Sequence, residues 1–194
     1  MKRDVIMPPS KFHSSFLSCE KDAETILRKL FVESKPFSNK LKRLLIINLK
    51  DCLDEDNEIY KEKSSLSLKQ MIDNGYISLI PKIKFKEHEE VKTYLIISFD
   101  NFYTNTNNPY YRDCTVNFDI ICHTDDWDIG NYEIRPLKIA GYIDGILNGC
   151  KLSGIGTFNF LGCNQLILNQ DLSGYTLSYE AIHGNDDKLP PREG

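Results

Sequence analysis

The sequence has few of the features that mark a membrane or secreted protein. Its longest apolar run lies within LLIIN (44–48) and is far too short to span a bilayer. The N-terminal stretch MKRDVIMPPSK contains no continuous apolar segment of the kind that a signal peptide has. The six cysteines form no CxxC pair, which favours free thiols over a disulfide framework. We therefore expect a soluble protein that is made in the cytoplasm.

Residues that bind metals or phosphates are also scarce in any useful spacing. The four histidines are dispersed at positions 13, 88, 123 and 183, so a zinc site of neighbouring ligands is not predicted. The glycine-rich stretch GYIDGILNGCKLSGIG (141–156) has neither the spacing nor the lysine of a phosphate-binding loop. We expect Gly141, Gly145 and Gly149 to let a helix pack closely on the sheet or on a neighbouring subunit. No cofactor and no metal is predicted.

Charge is distributed unevenly along the chain. Residues 1–50 hold 11 Lys/Arg against 5 Asp/Glu, whereas the other 144 residues hold 13 against 23. A basic segment beside an acidic body suits either nucleic-acid binding or contact with the acidic part of a neighbouring subunit.

Apolar spacings of three and four predict a helical hairpin in the first part of the chain. The first helix covers 12–32, and the second covers about 39–53 with Ser38 as its cap and Leu49 and Cys52 on its apolar stripe. A short helix is predicted near 66–73, ending at Asn74-Gly75.

Alternating and apolar runs then predict strands at 82–86, 93–102 and 115–123, with a loop or hairpin tip at 101–113. A helix follows from Arg135 or Pro136 to Asn148, with Pro136 in its first turn and Gly149 at its end. The last strands are predicted at 155–168, with a bulge at Gly162, and at 174–183.

This order predicts an α+β fold, in which an antiparallel sheet of about five strands carries a helix on one face and follows an N-terminal helical hairpin. We divide the chain into a helical region packed on the main domain (1–76), the α+β domain (77–184) and a flexible tail (185–194).

The strongest candidate for chemistry is the stretch IICHTDDWDIGNYEIR (120–135). A calcium-binding loop is not predicted, because Gly130 occupies the position of the third ligand and Leu137 that of the closing glutamate. Cys122 and His123 are neighbours on a strand and point to opposite faces, so they do not form a nucleophile–base pair. Asp125, Asp126 and Asp128 precede a helix start, where carboxylates favour the positive end of the helix dipole.

We therefore favour a structural or interface role for this stretch, with Trp127 either pinning the loop or meeting a neighbouring subunit. The aromatic segment around 101–113 is a second candidate surface, because tyrosine and arginine are enriched at interfaces. The candidate interface residues are Tyr103, Tyr110, Tyr111, Arg112, Asp125, Asp126 and Trp127.

Two alternatives of a different class remain open. A metal-dependent nuclease or hydrolase would use Asp119, Asp125 and Asp126, together with Glu133. A single-strand nucleic-acid binder would stack bases on the tyrosines and use the basic helices, with an affinity that falls steeply with salt.

The order of two strands, the unit TVNFDIICHTDDWDIGNYEIRPLKIAGYIDGILNG, and two more strands ending in SYEAIHG resembles the tail terminator proteins of tailed bacteriophages, also called tail completion or head–tail joining proteins. The resemblance covers about residues 77–184. It implies a non-enzymatic virion protein at the tail or neck that forms a ring, commonly a hexamer.

Such a ring caps the finished tail tube, stops its polymerisation and offers a surface to the head connector. The expected partners are thus further copies of the chain, the tail tube protein and a head connector or neck protein. The resemblance further implies that genome DNA passes through the lumen without specific binding, and no membrane partner is expected. Another neck, connector or tail adaptor protein is the alternative within the same class.

Overall fold

The computed structural model describes residues 16, 19–54, 56, 58, 66–79, 91–106 and 112–183. The helices are α1 (Cys19–Arg28), α2 (Phe37–Ile46), α3 (Leu68–Asp73) and α4 (Arg135–Leu147), and a π-helical turn (Lys29–Glu33) continues α1. The strands are β1 (Ile77–Ser78), β2 (Thr93–Thr104), β3 (Arg112–His123), β4 (Lys151–Leu152), β5 (Gly156–Thr157), β6 (Asn159–Ile167) and β7 (Leu172–His183).

Five of the strands form one sheet in the order β1-β2-β3-β7-β6. Every pairing is antiparallel except that of β1 with β2, and β4 pairs with β5 in a small separate ladder. The register shifts between Phe160 and Gly162, where a bulge was predicted. The predicted α+β class is confirmed, and the predicted strand at 82–86 lies outside the described residues.

The helices cover one face of the sheet, and the two layers bury a continuous apolar core. Alternate residues of β3 point into that core, because successive side chains of a strand face opposite sides. The opposite face of β3 is polar: Thr176 Oγ1 donates to Asp119 Oδ1 at 2.6 Å, and Ser178 Oγ donates to Asn117 Oδ1 at 2.7 Å.

The second helix is shorter than the sequence predicts. It ends at Ile46 because Ile47 is extended, with φ −105° and ψ 109°, and the prediction that it continues to residue 53 is wrong. Leu49 is consequently 41% exposed rather than part of an apolar stripe, although Cys52 is buried as expected. Ser38 is not the cap either, since the helix begins at Phe37 and Ser38 lies buried within its first turn.

The predicted ends of the third and fourth helices agree with the structure. Ser67 caps α3 through a capping box with Gln70, and Gly75 follows its end with φ +73°. Pro136 lies in the first turn of α4, and Gly149 takes φ +72° just after its last turn, a backbone conformation that glycine adopts without steric cost.

Two glycines of α4 do not have the predicted contact with the sheet. Gly141 and Gly145 are exposed, and a Cβ atom built on either residue meets nothing within 4 Å. The close approach is found instead at Gly174 of β7, where a Cβ atom would lie 1.8 Å from the Ile120 carbonyl oxygen. Glycine is therefore required at position 174, and contact of Gly141 and Gly145 with a neighbouring subunit, the other predicted role, stays a prediction.

Candidate functional site

Residues 124–134, here called the acidic loop, connect β3 to α4. The loop opens with a 3-10 turn, Thr124–Asp126, and His123 Nδ1 accepts a hydrogen bond from the Asp125 backbone N–H at 3.3 Å. The Thr124 N–H donates to the Asp171 carbonyl oxygen at 2.8 Å, which attaches the start of the loop to the β6–β7 turn. The acidic loop is thus held by the sheet from its first residue.

Arg135, the first residue of α4, is fully buried and makes five side-chain hydrogen bonds. Nε donates to the Asp126 carbonyl oxygen at 2.8 Å, and Nη2 lies 3.0 Å from Asp126 Oδ1. The remaining bonds reach the carbonyl oxygens of Leu44 and Ile47, each at 2.8 Å, and of Leu49 at 2.9 Å. A guanidinium has five N–H donors, so each one is satisfied.

This arrangement explains why α2 ends where it does. The last carbonyls of a helix lack intrahelical partners, and a cation near them is favoured by the helix dipole. Arg135 supplies both the donors and the positive charge to the segment from Leu44 to Leu49, although it belongs to α4. The acidic loop, α2 and α4 are therefore joined at a single buried side chain.

Asp126 is the buried anionic partner in this cluster, being only 5% exposed. Burial raises the pKa of its carboxyl group, and the neighbouring Arg135 guanidinium and Thr93 hydroxyl oppose that rise. Thr93 Oγ1 lies 3.4 Å from Asp126 Oδ2, so both carboxylate oxygens have a partner. The side chain is enclosed by the protein and is not on the surface, where the sequence placed it as a candidate contact.

The other acidic residues of the loop bind nearby groups and do not cap α4, which has no side-chain cap. Asp128 binds Lys50 Nζ through Oδ2 at 2.6 Å and accepts from the Gly130 N–H through Oδ1 at 2.9 Å. Glu133 pairs with Lys138. Asp126 instead binds Arg135, which begins the helix, and Asp128 forms the turn of the loop, while the expected interaction with the helix dipole stays a prediction.

The adjacent pair Cys122 and His123 is divided by the sheet, as the sequence predicts. Cys122 is fully buried, and burial raises the pKa of its thiol to about 12. His123 is half-buried and turned toward Asp125, whose carboxylate lies 3.6 Å from Nδ1. A protonated, enclosed thiol is not a nucleophile at neutral pH.

The carboxylates proposed for a metal-dependent nuclease are not brought together. Asp119 lies on the helix-free face in a bond to Thr176, Asp126 is paired with Arg135, and Asp125 is exposed. Within the described ranges, no three His, Cys, Asp or Glu side chains are grouped so that they would hold a metal ion. That candidate set is therefore not one site.

Trp127 packs its side chain against the apolar core and the sheet. It is half-buried against the core, and its ring lies 6.1 Å from that of Tyr175 with an angle of 37° between their planes. Its carbonyl oxygen accepts from the Arg135 N–H at 2.7 Å. The tryptophan thus pins the acidic loop to the sheet.

The tip of the loop presents exposed residues that sequence reasoning missed. Asn131 and Tyr132 both have positive φ, at 53° and 63°, and the Tyr132 side chain is completely exposed. Such a conformation is unfavourable for a bulky residue and is often found at functional positions. Ile134 and Leu137 beside it are 41% and 44% exposed. A turn signal at Gly130-Asn131 was visible in the sequence, but the exposure was not.

The second candidate surface lies at the hairpin that joins β2 and β3. Tyr103 is 65% exposed and pairs in register with Asp113, and Arg112 pairs with Thr104. Since adjacent ladder positions face opposite sides of a sheet, Tyr103 and Arg112 do not share a face. The strands also extend further than predicted, so the loop is shorter than 101–113. Tyr110 and Tyr111 lie outside the described residues.

The two candidate surfaces are far apart. The hairpin begins β3 and the acidic loop follows its end, and a strand of 12 residues is roughly 35–40 Å long. The candidate interface residues thus form two separate surfaces.

Comparison with known proteins assigns a family. The YomW family model matches residues 38–181, a range that contains the buried cluster and nearly all of α2 and of the sheet. The chain belongs to the YomW family. No curated protein matches it. A chain of a solved structure described as the virion of a native gene transfer agent (GTA) particle is similar over 64% of this chain and 90% of that one, with 11% identity and a TM-score of 0.36.

None of the helices that the structure describes is long and apolar enough to cross a membrane.

Proposed function

We propose that this chain is a structural protein of a tailed-phage virion, and specifically a tail terminator that assembles as a ring between tail and head. The YomW family to which it belongs is phage-associated. The strand order, the acidic loop and the following helix are the features whose sequence resembles tail terminators.

The observation that carries the proposal is the amount of apolar surface that this chain leaves exposed around a well-packed core. Exposed apolar side chains that lie together mark contact sites. In this chain, large exposed apolar side chains occur at the tip of the acidic loop, in the first turn of α4, and along β6 with the residue after it. The residues are Tyr132, Ile134, Leu137, Phe160, Leu161, Ile167 and Leu168.

The acidic loop supports such contacts by fixing the backbone that carries the exposed residues. Arg135 and Asp126 fix the base of the acidic loop, and the Asp128 hydrogen bond to the Gly130 N–H shapes the turn before Tyr132. Pre-organised surfaces bind with a smaller loss of conformational entropy. A ring that must present one fixed diameter to a tail tube and to a head connector gains from such rigidity.

Two measurements test the proposal. Light scattering and electron microscopy of the purified protein are expected to show a closed ring, hexameric by the resemblance. Phage that lack the gene are expected to make tails of irregular, extended length without heads, and a wild-type copy supplied in trans should restore normal particles. A protein that is absent from particles, or whose loss leaves tail length and head attachment unchanged, would contradict the proposal.

A further inference from the structure

Strand β6 forms one edge of the five-stranded sheet. Among the described residues it pairs with β7 alone. In an antiparallel pair, alternate residues turn their N–H and C=O groups away from the partner. The nine residues of β6 therefore present a row of backbone donors and acceptors on their outer side, which is a template for another strand.

Natural edge strands are blunted by lysines, other charges, proline or bulges. Strand β6 has a bulge near its start, between Phe160 and Gly162, but from Gly162 to Ile167 it pairs with β7 without a further shift. Residues 159–170, with the sequence NFLGCNQLILNQ, contain no Lys, Arg, Asp, Glu or Pro. Gln165, near the middle of the strand, is an exposed polar residue without charge. Nothing in the sequence of β6 thus repels an incoming strand.

The side chains of β6 are also partly uncovered. Helix α4 packs on β3 and β7. Phe160 packs its ring against Tyr179, with centroids 5.7 Å apart, yet remains 45% exposed. Leu161 is 56% exposed and Ile167 68% exposed. Since β6 has exposed apolar side chains together with an open backbone edge, a strand that paired there would also bury apolar surface.

We propose that β6 is the strand through which one copy of this chain joins the next, and that its outer edge accepts a strand of the neighbouring copy. The inference rests on the proposed ring, which requires a contact surface on every copy. Permanent interfaces between copies are more apolar than interfaces with exchanging partners, which retain more charge. The charge-free composition of residues 159–170 therefore favours a second copy as the occupant.

A native thiol reports on this contact. Cys163 lies in β6 and is exposed, whereas Cys19 and Cys150 are half-buried and the remaining cysteines are buried. Because reaction requires access to the thiol, a soluble maleimide should label Cys163 first in dilute protein. At concentrations where the ring forms, labelling of Cys163 should slow by at least about tenfold while that of Cys150 is unchanged.

Two glutamine substitutions provide a matched pair of variants. Gln165 lies within β6, and Gln170 lies in the turn after it, and both are exposed. Gln165→Lys places a charge in the proposed contact and is expected to weaken self-association by at least about tenfold. Gln170→Lys adds the same charge outside the strand and should assemble like the wild type. Circular dichroism and urea unfolding check that both variants fold.

The outcomes separate this inference from the proposed function. A wild-type ring with Cys163 still reactive, or a folded Gln165→Lys variant that assembles like Gln170→Lys, would overturn the role of β6 and leave the ring intact. A wild-type protein that stays monomeric with a reactive Cys163 would also overturn it. The proposed function has its own test, which is whether the protein is present in virus particles.

Discussion

At the end of β3 the protein encloses a charged pair, whereas along β6 it leaves apolar side chains facing outwards. Arg135 is fully buried and Asp126 is 5% exposed, while Ile167 is 68% exposed. The charges are tolerated inside because every guanidinium N–H has an acceptor. The apolar residues of β6 are covered only in part by their own chain, since Phe160 packs its ring against Tyr179 and still remains 45% exposed.

The contrast distinguishes residues that stabilise the fold from residues that are available to contact another molecule. A buried ion pair whose members are fully hydrogen-bonded has no group free to react, even where its sequence resembles that of an active site. An uncharged open edge contributes little to its own chain but offers a surface to another. The acidic loop, which looks reactive in the sequence, is thus mainly structural at its base, and the unremarkable strand β6 is the better candidate for contact.

The largest expected effect is at Arg135. Replacing it by methionine removes five hydrogen bonds and leaves the Asp126 carboxylate buried without its cation. Such a loss costs about 3–5 kcal/mol of unfolding free energy, and urea unfolding measures it. Lys138→Met removes a surface cation from the same helix and should cost no more than about 1 kcal/mol. Equal losses in the two variants would show that Arg135 is not the structural centre.

The next effect concerns Gly174, which lies in β7 between the two regions and pairs with both Ile121 and Leu166. In Gly174→Ala the new Cβ atom would lie 1.8 Å from the Ile120 carbonyl oxygen, so the ladder must shift. Forced overpacking of this kind costs about 3 kcal/mol, measured as a change in the urea midpoint.

Gly141→Ala is the control for that variant. Its Cβ atom meets nothing within 4 Å, and alanine in a helix is favoured over glycine by about 1 kcal/mol. The two substitutions should therefore change stability in opposite directions. If Gly174→Ala is neutral, the sheet at this point is more pliable than its packing indicates.

Much of the fold was predictable because local patterns determine it. The alternation along β3, the proline at the start of α4 and the glycine after its end each carry a local physical reason, and each agrees with the structure. The end of α2 was not predictable in this way. It depends on Arg135, which is 91 residues from Leu44 along the chain.

One local signal for Arg135 was present in the sequence. A cation in the first turn of a helix opposes the helix dipole, so its position there indicates a partner elsewhere. The identity of that partner required the tertiary structure. The exposure of the β6 residues could not be predicted either. An apolar strand at a sheet edge has the same local sequence pattern as one in the centre.

A smaller effect on folding is expected at the exposed edge. Ile167→Thr keeps a β-branched side chain at a position that is 68% exposed, so the unfolding free energy of the monomer should change by less than about 0.5 kcal/mol. The same substitution at Ile120, which is fully buried on β3, should cost about 2–4 kcal/mol. Similar costs at both positions would mean that Ile167 is covered by its own chain, and the contrast between the two regions would fail.

The smallest effect is expected at Asp128 on the surface of the acidic loop. Asp128→Asn keeps an acceptor for the Gly130 N–H but loses the charge that attracts Lys50. The hydrogen bond from Lys50, then that from the Gly130 N–H, holds the pKa of Asp128 below its ordinary value of 3.8. A carboxyl group whose pKa is lowered by folding stabilises the folded state at pH values above its ordinary pKa. This contribution is lost as the pH falls through the pKa of the folded state.

Wild type and Asp128→Asn should thus differ slightly at neutral pH and converge in acid, as followed by urea midpoints across that range. High salt should also remove the difference, because exposed ion pairs are screened. The buried pair of Asp126 and Arg135 is screened far less, so the loss in Arg135→Met should persist in the same salt. If the effect of Asp128→Asn persists in high salt, this carboxylate is shielded from solvent like that of Asp126, and the enclosed region includes more of the acidic loop.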